Sequence, residues 1–377
     1  MTDLGLSQKI TAMDVWHVQL PVKTRRDHGI GTVADSIDVV ILRLTAESGE
    51  TGFGEASPWA VFTGTAEGNF AALDRYLRPL IVGRTIAESQ SIMCDAQRAV
   101  VHCGEAKAAL ETALLDLKGR VLGVPVFELL GGSVRSSIPL SVSLANPDFD
   151  ADIALVEQLR EDKVGIVKFK TGIKDHAFDL MRVERLRSDY PEFDIRIDYN
   201  QGLEPTDALR KLRDMEIFDV TFIEQPVPAS DYRVMQDLAS ALDTPLLADE
   251  TVFTAADMTR AIEDRLCNCV SVKIMKCGGL RNGQSIAAIA GAAGMAAYGG
   301  DMFETGIAHL AGTHMIAATP NISLGCEFYQ ATYYLREDLL TEPFPLSEGE
   351  VIVPQGPGLG MEVDTDRLAH YSISHAS

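Results

Sequence analysis

Five ionisable residues recur at nearly regular intervals in the middle of the chain. Lys170, Asp198, Glu224, Asp249 and Lys273 are separated by 28, 26, 25 and 24 residues, and each follows or ends a short apolar run. A β-strand and its crossover helix take about 25 to 30 residues, so groups at this period lie at the same end of successive parallel strands. In a closed β/α barrel those strand ends converge on one site. The spacing therefore predicts that the five side chains face one another.

Three of these residues are carboxylates and two are amines, and this division indicates their chemistry. Asp198, Glu224 and Asp249 would form an all-oxygen cluster that repels itself unless a cation neutralises it. Hard oxygen ligands suit Mg²⁺, with Mn²⁺ as a possible substitute. A lysine held near such a cation and shielded from water loses its proton more easily than one in solution, so it can act as a base. With Lys170 before the carboxylates and Lys273 after them, the sequence predicts bases on opposite sides of a bound substrate.

Any one of these residues has a more ordinary explanation when it is taken alone. An Asp or Glu at a strand end is usually a helix cap or a surface charge, and a lysine there is usually solvated. Five such residues in register along one stretch of chain are hard to produce by chance. The pattern therefore favours a catalytic site over a solvated rim.

The short motifs around these residues resemble those of the enolase superfamily. They are, in chain order, Lys168-Phe169-Lys170, Asp198-Tyr199-Asn200, Glu224-Gln225-Pro226, Ala248-Asp249-Glu250 and Lys273-Ile274-Met275-Lys276. Lysine at both ends of the series resembles the muconate-lactonising subgroup, the muconate cycloisomerases, and the similarity extends over essentially the whole chain. The resemblance implies that Lys170 and Lys273 are an acid/base pair, that Lys168 is a charge modulating Lys170, and that the three carboxylates bind the metal.

The length and the pattern of elements predict two domains. At 377 residues the chain exceeds one domain of about 150 residues and fits a large barrel joined to a smaller unit. We expect an α/β fold: a modified (β/α)7-8 TIM barrel over residues 133–342, and an N-terminal α+β capping domain over residues 1–132 that the segment 343–377 completes. The periodicities predict strands over 9–20 and 36–47 with a turn at 49–52, helices over 66–81, 86–99, 105–122 and 306–318, and barrel strands at 138–142, 295–298 and 322–324.

The resemblance implies that two loops of the N-terminal domain close over the barrel mouth and select the substrate. By position these are residues 23–34 and 57–64. Their candidate functional residues are Arg25, Arg26, His28, Gly29, Gly31, Trp59 and Phe62. We expect the arginines to clamp an anion, the glycines to supply hinge freedom, and His28, Trp59 and Phe62 to form a lid.

The remaining candidate residues lie in or beside the barrel motifs. The expected substrate contacts are Asn200, Glu250, Asp301 and Phe303. Glu304 lies on the loop after the seventh strand, where similar muconate-type sequences carry a glutamate that faces the lysine of the sixth strand. The resemblance implies that Glu304 relays protons or stabilises the ammonium of Lys273, whereas an acid at a helix N-terminus is the ordinary alternative.

Composition and charge argue against several classes of function. The net charge of −21 disfavours nucleic acid and anionic membranes as partners, because both would be repelled. No run of 18 apolar residues and no signal-peptide pattern is present in the sequence. Six scattered cysteines favour a reducing cytoplasm over a disulfide scaffold. The partners that we expect are a small carboxylate substrate and further copies of the chain in a homo-oligomer.

The expected reaction is metal-assisted proton transfer at the carbon α to a carboxylate, through an enediolate. The leading hypothesis is a lactonising muconate-type cycloisomerase, because residues 300–306 and the C-terminal region resemble that branch. Racemases or epimerases of amino acids, N-substituted amino acids or dipeptides, and dehydratases of acid sugars or hydroxyprolines, would keep all five residues. Residues 321–327 offer only Glu327 to hold an α-ammonium, which weakens the dipeptide alternative. A non-catalytic barrel that binds an acidic metabolite is the alternative from another class.

Overall fold

Eight short parallel strands form a barrel in the computed structural model, which describes residues 5–377. In chain order the strands are Ser141–Leu144, Ile166–Lys170, Asp194–Asp198, Ile223–Glu224, Leu246–Ala248, Cys269–Val272, Ala296–Gly299 and Ile322–Cys326. Consecutive strands are hydrogen-bonded in that order, and a parallel bridge between Leu140 and Cys326 links the eighth strand to the first. The predicted α/β barrel is confirmed, and it is nearly closed.

The helices of the barrel cover its outer face. They are Phe149–Glu161, His176–Asp189, Ala208–Glu216, Tyr232–Ala241, Ala255–Glu263, Ile274–Cys277, Leu280–Ala292 and Gly306–Ala317. Several begin at a side-chain cap, such as the box that Thr254 forms with Asp257, which satisfies free backbone N–H groups. Within residues 5–377 we find no helix with the length and apolar character that crossing a membrane requires.

The residues before the barrel form an α+β domain. Its antiparallel sheet contains, in spatial order, Ser372–Ala376, Ile10–Pro21, Ser36–Ala46 and Thr51–Ala56. A two-stranded hairpin, Arg26–His28 with Gly31–Val33, projects from it. The helical segments are Ala66–Ala71, Ala72–Leu77, Arg78–Ile81, Ile86–Glu88, Ser89–Ala99, Gly104–Leu122 and Val126–Leu129. The predicted three-stranded meander and the helices that follow it are confirmed.

The long helix Gly104–Leu122 lies directly on the strand Thr51–Ala56 because two glycines on that strand leave room for it. A Cβ atom on Gly54 would lie 1.9 Å from the carbonyl oxygen of Ala109, which no side chain can tolerate. The helix also contacts the turn Ile274–Cys277, directly after the sixth barrel strand. It is therefore held between the N-terminal sheet and the barrel.

The chain at the join of the two parts differs from the prediction in two details. The first barrel strand begins at Ser141 rather than at residue 138, because Ser137–Pro139 pairs antiparallel with Glu350–Ile352 in a separate sheet that includes Leu346–Ser347. The C-terminal segment therefore does not return to the N-terminal domain as a whole. After the helix Thr365–Tyr371, its last strand does so by pairing with the first strand of the chain. The domain boundaries at residues 132 and 343 stay predictions.

Candidate active site

The structure brings the five regularly spaced residues together at the carboxyl ends of barrel strands two to six. Lys170 and Asp198 are register partners on neighbouring strands, and Asp198 is in turn the partner of Glu224. Asp249 and Lys273 directly follow the fifth and sixth strands. All five side chains are buried, and the three carboxylates are 0% exposed. The period of the sequence correctly predicted this convergence.

Each of the two lysines that line the site forms a short ion pair with one carboxylate. Lys170 Nζ lies 2.6 Å from Asp198 Oδ2, and Lys273 Nζ lies 2.6 Å from Asp249 Oδ2. Burial opposes the charge on Lys273, but the charges of Asp249 and Glu224 outweigh it and raise its pKa above the ordinary value. The lowered pKa predicted for a lysine beside a bound cation stays a prediction.

Lys168 joins the carboxylates of three other strands and is 0% exposed. Its Nζ atom lies 2.7 Å from Glu224 Oε2, 2.7 Å from Glu327 Oε2 and 3.3 Å from Asp198 Oδ2. Burial disfavours its charge, yet these carboxylates raise its pKa well above the ordinary value. Lys168 is thus a fixed positive charge within the cluster. The modulation of Lys170 by Lys168 stays a prediction.

Two members of the cluster were not predicted as site residues. Lys276 donates from Nζ to the backbone carbonyl of Asp249 at 2.7 Å and to its Oδ1 atom at 2.8 Å. Glu327, after the eighth strand, accepts from Lys168 and from the hydroxyl of Ser143. The sequence contains a signal for each residue. Lys276 is a second lysine one helical turn after the sixth strand, and Glu327 is a carboxylate directly after the eighth.

The carboxylate cluster fits a hard divalent cation in its donor chemistry. Within residues 5–377 no three Asp, Glu, His or Cys side chains are arranged as a ready-made metal site, and ammonium groups lie against the carboxylates instead. Burial and the charge of Asp198 raise the pKa of Glu224 to about 7, and its Oε1 atom has no hydrogen-bond partner. Burial and the charge of Asp249 raise the pKa of Glu250 to about 8. These are the signs of excess negative charge, which a cation relieves.

A cavity of about 30 Å³ lies next to Lys170 and Lys273. Its remaining lining residues are His28, Trp59, Phe62, Asn200, Asp301, Met302, Phe303, Glu327, Tyr329 and Gln330. All the substrate contacts predicted from the sequence therefore line it, with the exception of Glu250. The last three residues of that list follow the eighth strand and were not predicted as substrate contacts, and neither was Met302.

Glu250 and Glu304 lie behind the cavity wall. Glu250 Oε1 accepts a hydrogen bond from the side-chain amide of Asn200 at 3.2 Å. Glu304 Oε1 accepts from the backbone N–H of Met302 at 2.9 Å, and burial together with the charge of Asp301 raises its pKa well above the ordinary range. The ammonium of Lys273 pairs with Asp249 rather than with Glu304. A proton relay through Glu304 stays a prediction.

Three rings from both parts of the molecule meet edge to face and form one wall of the cavity. The ring centroids of Trp59 and Phe303 are 5.2 Å apart, and the ring of His28 lies 5.2 Å from Trp59 and 5.4 Å from Phe303. Burial, and then the charge of Lys170, lower the pKa of His28 well below its usual value, so the imidazole is neutral. A second lid ring, Phe62, lies 5.0 Å from Lys273 Nζ. The lid predicted over residues 57–64 is therefore largely apolar.

Arg26 does not clamp an anion, contrary to the sequence prediction. It is buried, and its Nη1 atom donates to the carbonyl of Ser143 at 2.8 Å and to the hydroxyl of Tyr329 at 2.9 Å. The guanidinium also lies over the rings of Tyr329 and Tyr334. The protein itself therefore holds the guanidinium, and Arg26 anchors the hairpin to the barrel.

The other two loop predictions also need correction. Arg25 is exposed and pairs with Asp27 in its own hairpin, so it belongs to the surface. Gly29 was expected to supply hinge freedom, but a Cβ atom there would lie 2.2 Å from the carbonyl oxygen of Tyr199. Glycine is required because the hairpin touches the backbone after the third barrel strand. The contact makes this loop a fixed part of the barrel mouth.

Comparison with known proteins agrees with this geometry along the whole chain. Residues 8–131 match the family described as mandelate racemase / muconate lactonizing enzyme, N-terminal domain, and residues 151–367 match the family described as enolase C-terminal domain-like. Muconate cycloisomerase 1 of Rhodococcus opacus is 34% identical over 98% of each chain. The L-Ala-D/L-Glu epimerase of Bacillus subtilis is 31% identical over 94% of this chain and 96% of its own.

Solved structures give the same result. A muconate cycloisomerase from Azorhizobium caulinodans superposes with a TM-score of 0.85 at 45% identity, covering 97% of this chain and 99% of the other. The muconate lactonizing enzyme of Pseudomonas fluorescens, solved in complex with muconolactone, gives a TM-score of 0.93 at 30% identity, covering 97% of this chain and 100% of the other. The barrel, the N-terminal domain and their relative placement are therefore shared with these proteins.

Proposed function

Because the chain belongs to the mandelate racemase/muconate lactonizing enzyme family of the enolase superfamily and is an isomerase, we propose that it converts a muconate-type dicarboxylate to a lactone. The observation that carries this proposal is that Lys170 and Lys273 line one cavity from the second and sixth strands of an eight-stranded barrel, beside a buried carboxylate cluster. Two amines that approach a substrate from different strands can deliver or remove a proton at one carbon.

Asp198, Glu224 and Asp249 are the residues that would hold Mg²⁺, or Mn²⁺ in its place. They end three adjacent strands, they are 0% exposed, and one oxygen of Glu224 has no partner. When it is bound, such a cation supplies electrostatic stabilisation of the negative charge that develops on the substrate carboxylate.

The lysines carry out the proton transfer in this proposal. During lactonisation the distal carboxylate adds to the diene, so a C–O bond forms and negative charge passes to the carbon next to the other carboxylate. An ammonium then donates its proton to that carbon, and a C–H bond forms. Lys273 and Lys170 both line the cavity, and they are the two candidates for this step.

The cavity favours a compact, partly apolar substrate. Its volume is small, about 30 Å³. The rings of Trp59, Phe62 and Phe303 suit the flat hydrocarbon centre of a diene, while His28 and Asn200 offer hydrogen bonds to its second carboxylate. In this proposal Asp301 also contacts the substrate, and Glu250 acts by orienting Asn200.

Racemisation or epimerisation of an amino-acid derivative is the second candidate. The presence of both lysines at one cavity favours it, because a racemase needs an acid and a base on opposite faces of one carbon, and a relative named as a dipeptide epimerase matches the chain. Against it, Glu327 is bonded to Lys168 and Ser143 and is not free to hold an α-ammonium. A barrel that only binds its ligand has no need of two such lysines.

The test is proton NMR in D₂O with Mg²⁺, with cis,cis-muconate, N-acyl amino acids, hydroxyprolines and dipeptides as the panel. We expect muconate to disappear with deuterium incorporated into the lactone, and we expect Lys170→Ala and Lys273→Ala to abolish or strongly reduce this. Exchange at an α-carbon with inversion would establish the racemase instead. No lysine-dependent exchange with any member of the panel would contradict both proposals.

A homo-oligomer, expected from the family resemblance, and a cytoplasmic location, expected from the six scattered cysteines, are part of the same proposal. Light scattering on the purified chain measures its molar mass, and a mass equal to that of one chain, 40.9 kDa, would contradict the oligomer.

A further inference from the structure

A buried carboxylate of the N-terminal domain forms hydrogen bonds with the barrel close to the rings of His28, Trp59 and Phe303, which we call the aromatic wall. Glu55 lies on the last strand of the meander, Thr51–Ala56, and is 1% exposed. Its two carboxylate oxygens face the start of the barrel helix Gly306–Ala317, some 250 residues further along the chain. No motif in the sequence marked this residue, and the proton-transfer mechanism does not use it.

The carboxylate is the acceptor in each of the hydrogen bonds that follow, and the donors belong to both parts of the molecule. Oε1 accepts from the hydroxyl of Ser57 at 2.6 Å and from the backbone N–H of Thr305 at 2.8 Å. Oε2 accepts from the hydroxyl of Thr305 and from the backbone N–H of Ala308 at 3.0 Å. Glu55 therefore satisfies free N–H groups in the first turn of a barrel helix, where the helix dipole also favours a negative charge.

These partners lie next to the two rings that meet in the cavity wall. Ser57 begins the lid loop, residues 57–64, and Trp59 follows it by two positions. Thr305 ends the loop after the seventh strand, and Phe303 precedes it by two positions. The centroids of the two rings are 5.2 Å apart. One carboxylate thus binds the stems of both ring-bearing loops.

From this geometry we infer that Glu55 is a positioning residue that fixes the lid loop against the seventh-strand loop, and thereby sets the aromatic wall that selects the substrate. The inference rests on the proposed substrate cavity only for its effect on specificity. Its structural content, the placement of Trp59 against Phe303, can be tested without any substrate.

A glutamine cannot replace Glu55 without loss, although it has the same shape. Each oxygen of Glu55 accepts a hydrogen bond from one backbone N–H group, Oε1 from Thr305 and Oε2 from Ala308. Whichever way the amide of Glu55→Gln turns, its NH₂ group faces an N–H donor, so at least one hydrogen bond is replaced by a repulsive contact. We expect the stems of the two loops to separate.

The chain supplies a matched control for such a change. Glu111 is also buried, also belongs to the N-terminal domain, and accepts from the backbone N–H of Arg281 at 3.2 Å, in the first turn of the barrel helix Leu280–Ala292. It does not line the cavity. Glu111→Gln therefore removes a buried carboxylate charge at a contact between the same two parts of the molecule without touching the aromatic wall.

Tryptophan fluorescence gives a readout of the wall. The chain has two tryptophans, and Trp16 stacks on His375 in the N-terminal sheet. In a Trp16→Phe background the emission therefore comes from Trp59 alone. We expect Glu55→Gln to raise the acrylamide quenching constant of Trp59 about twofold, because the loop opens locally, and Glu111→Gln to leave it unchanged. Circular dichroism shows whether each variant is folded.

Kinetics on the substrate identified by NMR form the second arm. We expect Glu55→Gln to raise KM about tenfold and to change kcat by less than about threefold, since a lid contact is made in the ground state and the transition state alike. Glu111→Gln should move neither constant, and Glu55→Asp should restore part of the loss. If no substrate is found, the quenching arm still decides the role of Glu55.

Unchanged quenching in folded Glu55→Gln, or an equal rise in Glu111→Gln, would overturn the inference. If Glu55→Gln does not fold, Ser57→Ala and Thr305→Val each remove one hydroxyl donor and keep the carboxylate. Both should then give a smaller rise in the quenching of Trp59, and no rise in either would overturn the inference equally.

Discussion

Replacement of Lys168 by methionine should show how strongly the site depends on its own buried ion pairs. The change keeps most of the side-chain volume but leaves Glu224, Glu327 and Asp198 without the ammonium that lies 2.7, 2.7 and 3.3 Å from them. Removing one partner of a buried ion pair typically costs about 3–5 kcal/mol. Because three carboxylates lose the same partner, we expect a loss near the upper end, about 5 kcal/mol, from a total stability of about 5–15 kcal/mol.

The loss should depend on pH, and the sign follows from Glu224. Its pKa is raised from 4.5 to about 7, by burial first and by Asp198, and Lys168 opposes that rise. A carboxyl whose pKa is raised in the folded state does not lower the free energy of unfolding below its unfolded-state pKa, because it is protonated in both states there. Between the unfolded-state pKa and the folded-state pKa, the free energy of unfolding falls as the pH rises. Without Lys168 the folded pKa rises further, so Lys168→Met should lose more stability at pH 8 than at pH 5.

Urea unfolding at pH 5 and pH 8, in the presence of EDTA, measures both effects. Lys163→Met is the control, because its pair with Glu348 is exposed and should contribute less than about 1 kcal/mol. Glu327→Gln in the Lys168→Met background should recover part of the loss, since it removes one of the unpaired charges. A loss no greater than that of the control at pH 8, or the same loss at both pH values, would refute this account of the cluster.

Two further predictions concern the frame of the protein. Burial lowers the pKa of His309 and of His314 from 6.5 to about 4, so only the unfolded state takes up these protons as the pH falls from 6.5, and each histidine should lower the stability by about 1.4 kcal/mol per pH unit. Carboxyls with a raised pKa, such as Glu224, change the stability in the opposite direction over this range. The contribution of His314 is therefore the difference in slope between the wild type and His314→Gln in urea unfolding from pH 7 to pH 5, and equal slopes would contradict it. Gly54→Ala places a Cβ atom 1.9 Å from the carbonyl oxygen of Ala109 and should lower the stability by at least about 1–3 kcal/mol. Gly68→Ala is the control, because its Cβ atom would meet nothing closer than 3.5 Å, and it should not lower the stability. Equal melting temperatures for the two variants would refute the packing argument.

The convergence of the site could be predicted because covalent order determines it. Once a strand and a helix alternate at a period of about 25 to 30 residues, each strand end occupies a known place in the barrel. Lys170, Asp198 and Glu224 needed no knowledge of tertiary contacts to be placed on neighbouring strands, and the register pairs confirm this. The same argument located Asp249 and Lys273.

The partners of the cluster could not be predicted in the same way. Glu327 meets Lys168 only because the eighth strand returns beside the first, which adds a neighbour from 159 residues away. Lys276 reaches Asp249 because a helical turn after the sixth strand bends back over the fifth. Both residues were visible in the sequence, but their roles depend on closure of the barrel rather than on the local period.

The loop residues were misassigned because side chains of equal chemistry have different uses in different surroundings. Arginine in a loop is suited to bind an anion, yet Arg26 donates from Nη1 to Ser143 and Tyr329, which lie 117 and 303 residues away. Glycine in a loop suggests freedom, yet Gly29 is needed because the carbonyl of Tyr199 leaves no room for a Cβ atom. A propensity describes what a residue can do, and only its distant neighbours decide which use is realised.

The ion pairs of the site also bear on how a dicarboxylate binds to a protein of net charge −21. A substrate carboxylate that enters the cavity meets Lys170 and Lys273, whose ammonium groups are already paired with Asp198 and Asp249. An ammonium that turns toward the substrate leaves its carboxylate unpaired and buried, which is costly. In the proposed function, a hard cation at the same oxygens would neutralise these carboxylates when the substrate binds. The lysines and the proposed cation would thus be two ways to balance the same buried charges.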